Sequence, residues 1–176
     1  ANATYACSSL SKNQLRAIVA VMTYLALLPG LICGLAVGVE DVRHRRVPRA
    51  WIAVGCLLQL VAILIYALAA NNLFALPQAM LFAALSAAVQ CLLALIRPGA
   101  LGFGDVTCTL MTGLGVGMLG LGAVVAWWLA MGLIGVAWTL LWIRFDPQSD
   151  SSYAGKAPFA PVIVIAGLVA ELVSLA

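Results

Sequence analysis

A chain of 176 residues in which 65% are hydrophobic and only 9% carry a charge is no ordinary soluble domain, where about a quarter of residues are charged. A bilayer-spanning helix takes about 20 apolar residues, so the length is used up by about six spans with short connections, an all-α integral membrane bundle forming a single membrane-embedded domain over residues 1–176. The net charge of +3 sits mostly in loops, where it sets membrane orientation, and no nucleic-acid partner is expected.

Residues 1–16 read as a polar N-terminal segment. They lack the pattern of a cleavable signal peptide, because the first long apolar run is itself of full spanning length. Lys12 and Arg16 lead into that run, Ala17 to Val39, which is interrupted by Pro29-Gly30. It ends at Glu40-Asp41-Val42-Arg43-His44-Arg45-Arg46-Val47-Pro48-Arg49, the most polar loop of the chain. Trp51 to Ala70 is the second span, with Trp51 placed as an interfacial anchor. An uncharged turn, Asn71 to Pro77, precedes the third span, Gln78 to Ile96, whose Ser86 and Gln90 are expected to face other helices rather than lipid.

Arg97-Pro98-Gly99 breaks the apolar pattern. Gly102-Phe103-Gly104-Asp105 then heads a short, glycine-rich fourth segment from Val106 to about Leu119. The fifth span, Leu121 to Ile143, ends at Arg144 and is followed by a polar loop, Phe145 to Lys156, with solvated Asp146 and Asp150. Ala157 to Leu175 is the sixth span, opened by Pro158-Phe159-Ala160-Pro161. Trp127, Trp128, Trp138 and Trp142 read as lipid-facing or interfacial side chains. The cysteines Cys7, Cys33, Cys56, Cys91 and Cys108 are scattered singly, and His44 has no second histidine. That spacing points to small apolar packing residues and to neither a metal site nor a disulfide framework.

Orientation follows from the arginines and lysines of the short loops. The first, third and fifth loops carry Arg43, Arg45, Arg46 and Arg49, then Arg97, then Arg144 and Lys156, and the second and fourth carry none. The odd loops are therefore expected in the cytoplasm. Lys12 and Arg16 argue the other way but are outnumbered. The same topology returns Asp41 and Asp105 to one membrane face.

An acid at the edge of hydrocarbon is costly and calls for a reason. Outside the polar loops the acids are Glu40, Asp41, Asp105 and Glu171. Glu40, adjacent to Asp41, points elsewhere on a helix and reads as solvated or arginine-paired. Two neighbouring carboxylates cannot both ionise comfortably, so one keeps a proton while the other acts as base towards a water between them. Aspartyl proteolysis needs that pair: the base activates water and the acid polarises the peptide carbonyl and protonates the leaving amine. Gly102 and Gly104 are expected to free the backbone for unusual conformations and to let a substrate strand approach. For each aspartate alone the plain structural roles remain: a helix cap for Asp105, and an arginine pair at a helix end for Asp41.

Gly102-Phe103-Gly104-Asp105 resembles the GxGD signature of membrane-embedded aspartyl proteases. The segment from Asp41 to Pro48 resembles the aspartate, basic residues and aliphatic-proline pattern at the first catalytic aspartate of type IV prepilin peptidases, and Pro158-Phe159-Ala160-Pro161 resembles that family's proline-phenylalanine segment opening the last helix. The resemblance implies catalytic Asp41 and Asp105, no cofactor and no metal, and cleavage of the short basic leader of a pilin-like precursor at the cytoplasmic edge of the inner membrane. Arg43, Arg45 and Arg46 then contact anionic lipid headgroups or substrate, while Pro48, Pro158, Phe159 and Pro161 are structural. The resemblance is to the short form, without the additional cytoplasmic domain that the long bifunctional members use for N-methylation, so methyl transfer is not implied. Arg49 stands where the family commonly has asparagine, and Thr107 where it commonly has lysine. The alternative from the residues alone is a non-enzymatic membrane subunit or small transporter in which Asp41 and Asp105 hold a proton or cation.

Overall fold

The computed structural model describes residues 2–96, 102–145 and 157–175. Among them the chain forms α1 (Asn2–His44), α2 (Arg49–Ala69), α3 (Ala75–Ile96), α4 (Phe103–Met118), α5 (Leu121–Phe145) and α6 (Ala160–Leu175), with no strand. Four stretches are long and apolar enough to cross a membrane: Ile18–His44 of α1, and α2, α3 and α5. α4 and α6 have 16 residues each. The expected polar segment at 1–16 continues α1 as helix from Asn2. Of the expected loop, Phe145 to Lys156, Phe145 ends α5 and the rest lies outside the described residues, as does the Arg97-Pro98-Gly99 break.

The distribution of side chains is that of a membrane bundle. Leu57, Leu64, Leu95, Leu133 and Val136 are exposed, whereas Gln59, Ser86, Gln90, Thr109, Thr112 and Glu171 are buried. With lipid as solvent, apolar residues gain nothing by turning inward and polar ones must find partners inside. Ser86 and Gln90 accordingly face helices as expected: the Trp128 indole N–H donates to Ser86 Oγ at 3.3 Å, and the Gln90 amide donates to the Met131 sulfur at 3.5 Å.

α4 is the hub and packs against all five other helices. Every residue from Met111 to Met118 is buried. Its glycines make this possible: a Cβ at Gly113 would come within 3.0 Å of Ala83 Cα, and one at Gly117 within 3.0 Å of Ala79 O. Gly120, at φ +99°, then turns the chain into α5, a conformation that glycine adopts without steric cost.

Pro29 does not end α1. Proline lacks an N–H and its ring crowds the preceding turn, and the helix is stitched at that point by a side chain from α2. Gly30 N–H donates to Gln59 Oε1 at 2.8 Å, and Gln59 Nε2 donates to Ala26 O at 2.8 Å. One primary amide thus occupies the two ends of an opened backbone bond and locks α1 to α2.

Of the tryptophans, Trp127 departs furthest from the lipid-facing role. It is fully buried and donates its indole N–H to Ile163 O at 3.0 Å, tying α5 to α6.

Candidate active site

The sequence places Asp41 in a loop after Val39, yet the helix runs on to His44. Hydropathy falls at Glu40 while helical hydrogen bonding continues. Asp41 therefore sits on the last turns of α1, 7% exposed, and Glu40 pairs with His44 at 3.0 Å in an i,i+4 contact rather than with an arginine. The helix stops at Arg45, which takes the left-handed conformation (φ 55°) and donates its N–H to Asp41 O at 3.0 Å. A non-glycine residue in this region is strained and persists only where its surroundings hold it. Here the Arg45 guanidinium lies 4.8 Å from the centre of the Trp142 ring, a cation–π contact with α5. Pro48 then caps α2 in extended geometry, its carbonyl accepting from the N–H groups of Trp51 (3.1 Å) and Ile52 (3.3 Å).

Asp105 lies in the first turn of α4, with Gly102 as N-cap. Its Oδ2 accepts from Gly102 N–H at 2.9 Å, so Asp105 caps the helix from its third position rather than as the N-cap foreseen for a lone aspartate. Asp41 does the same for another helix: its Oδ2 accepts from Ala160 N–H, the first residue of α6, at 3.3 Å. Each carboxyl thus spends Oδ2 on a helix N-terminus, where the aligned peptide dipoles favour negative charge.

The Pro158-Phe159-Ala160-Pro161 segment explains how Ala160 reaches Asp41. Pro158 O accepts the Trp138 indole N–H at 2.9 Å, and Phe159 O accepts from Val162 (3.0 Å) and Ile163 (3.3 Å) to start α6. What the segment builds is the seat of an aspartate.

Asp41 and Asp105 line one cavity of about 240 Å³. Gly102, Phe103 and Gly104 share the wall, and so do Arg45, Val47, Arg49 and Thr107. Of the three arginines singled out as contacts, Arg45 alone lines it; Arg43 lines an apolar groove between α1 and α6, and Arg46 is exposed. Arg49 and Thr107 both face this cavity. Thr107 Oγ1 donates to Gly104 O at 2.9 Å.

Neither glycine serves unusual backbone, and of the two only Gly104 serves close approach. Gly102 has φ −84°, ψ 156°, open to any residue, and Gly104 is helical. A Cβ at Gly104 would come within 2.8 Å of Val47 Cβ and Cγ2, so this glycine lets the start of α4 abut the loop after Asp41. Arg49, Val47 and Ala160 were not foreseen as parts of the site; the position of Arg49 just after the proline was the one available signal.

No family model matches the chain, and no curated protein or solved structure matches it either.

Proposed function

We propose that the chain is a membrane aspartyl endopeptidase that removes the basic leader of pilin-like precursors at the cytoplasmic membrane edge. The observation that carries this reading is that Asp41 and Asp105, from helices far apart in sequence, line a single cavity. In the proposed reaction the ionised member takes a proton from water as its oxygen attacks the peptide carbonyl carbon. The protonated member hydrogen-bonds the carbonyl oxygen, and on collapse of the tetrahedral intermediate a proton passes to the leaving nitrogen as the C–N bond breaks. The pair shares one proton, so the two roles belong to the dyad rather than to named residues. The exposed Phe103 and the pair Arg45 and Arg49 at the cavity wall suit a substrate segment that is apolar on one side and polar on the other. The arginine content of the odd loops supports the cytoplasmic placement.

Coexpression with a pilin-like precursor tests the proposal. Leader removal is expected in the parent and to fall by about 100-fold or more, a general acid–base contribution, in both Asp41→Asn and Asp105→Asn at equal membrane levels. Persistent cleavage in either variant rules out the dyad. Absence of cleavage together with a proton or cation flux in proteoliposomes that both variants abolish establishes the transporter instead.

A further inference from the structure

α6 carries a second buried carboxyl that the proposed chemistry does not use. Glu171 is 4% exposed and lies about 16 Å along α6 from Ala160, at about 1.5 Å per residue. Its Oε2 has no hydrogen-bond partner among the described residues, and the Oγ1 of Thr112 on α4, itself 6% exposed, has none beyond the Cys108 thiol one turn earlier. Buried polar atoms without partners are rare in folded proteins and ask for an explanation.

The two residues line one small cavity of about 10 Å³, room for about one water molecule. The rest of its wall is apolar, from Leu27, Leu31, Met111 and Val164, apart from Gly30 and Gly115. The glycines allow the polar groups to gather: a Cβ at Gly115 would come within 2.9 Å of Glu171 Oε1, and one at Gly30 within 2.7 Å of Gln59 Oε1. No cation stands among these lining residues to offset an ionised carboxylate, and in such surroundings the acid form is far less costly.

We propose that this cavity binds a single water molecule, which joins the carboxylic acid of Glu171 to the hydroxyl of Thr112 and couples α6 to α4. Water fits the chemistry because it both donates and accepts, and so satisfies a hydroxyl and an acid at once. A hard cation surrounds itself with many oxygen ligands, and the wall offers those of two side chains. The inference stands apart from the peptidase reading, since none of these residues lines the aspartate cavity.

Thermal unfolding of the purified full chain in detergent tests it as a double-mutant cycle. Thr112→Val and Glu171→Leu are each expected to lower the Tm by about 2–4 °C, and the double variant by no more than the larger single effect, because either change already dismisses the shared water. Additive losses overturn the proposal. Infrared spectra at neutral pH provide the measurement that survives poor folding of the apolar variants. A carboxylic-acid carbonyl band is expected that Glu171→Gln removes and that Asp41→Asn and Asp105→Asn leave in place; no such band overturns the proposal. A Tm raised by sodium but not by potassium or choline, and insensitive to sodium in Glu171→Gln, also overturns it, in favour of a cation.

Discussion

Gly104 and Gly102 look equivalent in the motif and are not equivalent in space. The methyl of Gly104→Ala would meet Val47, a β-branched side chain anchored in the turn before Pro48, at 2.8 Å, whereas that of Gly102→Ala would lie in ordinary contact, 3.5 Å from Asp105 Oδ2. Gly104→Ala is therefore expected to push the start of α4 away from the end of α1 and cost about 100-fold in leader cleavage, as misplacement by about 1 Å does. Gly102→Ala is expected to stay within a few-fold of the parent, and a precursor-processing assay on the two variants checks the contrast. Asp41 and Asp105 were legible because acids are scarce in an apolar chain. The purpose of Gly104 was not, because its partner Val47 sits in another loop and close approach leaves no mark on local sequence. Glu171 was visible as an acid in an apolar run, but its burial depended on which face α6 turns towards α4.

Among the elements, α1 shows how a helix can pass through a proline. A break was the natural expectation at Pro29-Gly30, and periodicity carries no hint that Gln59, on the next helix, completes the backbone there. Gln59→Leu removes both amide bonds, while Ala26 O and Gly30 N–H remain able to close on one another, so the loss is about 1–3 kcal/mol. A corresponding fall in Tm in detergent checks it. Gly30→Ala is expected to behave similarly, because its methyl would strike Gln59 Oε1. Trp127 was misread for a related reason. A large aromatic residue in a membrane sequence reads as interfacial, but Trp127 and Trp138 each donate to a backbone carbonyl of the strip around the start of α6. The ends of α1 and α4 extend past the apolar runs for the converse reason: hydropathy marks where lipid stops, and capping marks where helix stops.

At the scale of the whole molecule, the bundle architecture was the most legible feature, because composition alone excludes a soluble fold and alternating loop charge orders the spans. What could not be read was the centre. The weakest apolar segment, α4, is the one in contact with every other helix, and its low hydropathy reflects glycines that trade side chains for close packing. The two short helices have a further consequence. At 16 residues, α4 and α6 extend about 24 Å, against a hydrocarbon core of about 30 Å, and both begin at the aspartate cavity. The other helices enclose α4, but lipid meeting the exposed Ile165, Val169 and Leu172 of α6 is expected to thin locally, forming a dimple through which bulk water gains the carboxylates without an opening in the bundle. Leader cleavage in reconstituted vesicles is then expected to decline as the lipid acyl chains lengthen, while the Tm of the same protein in detergent stays constant.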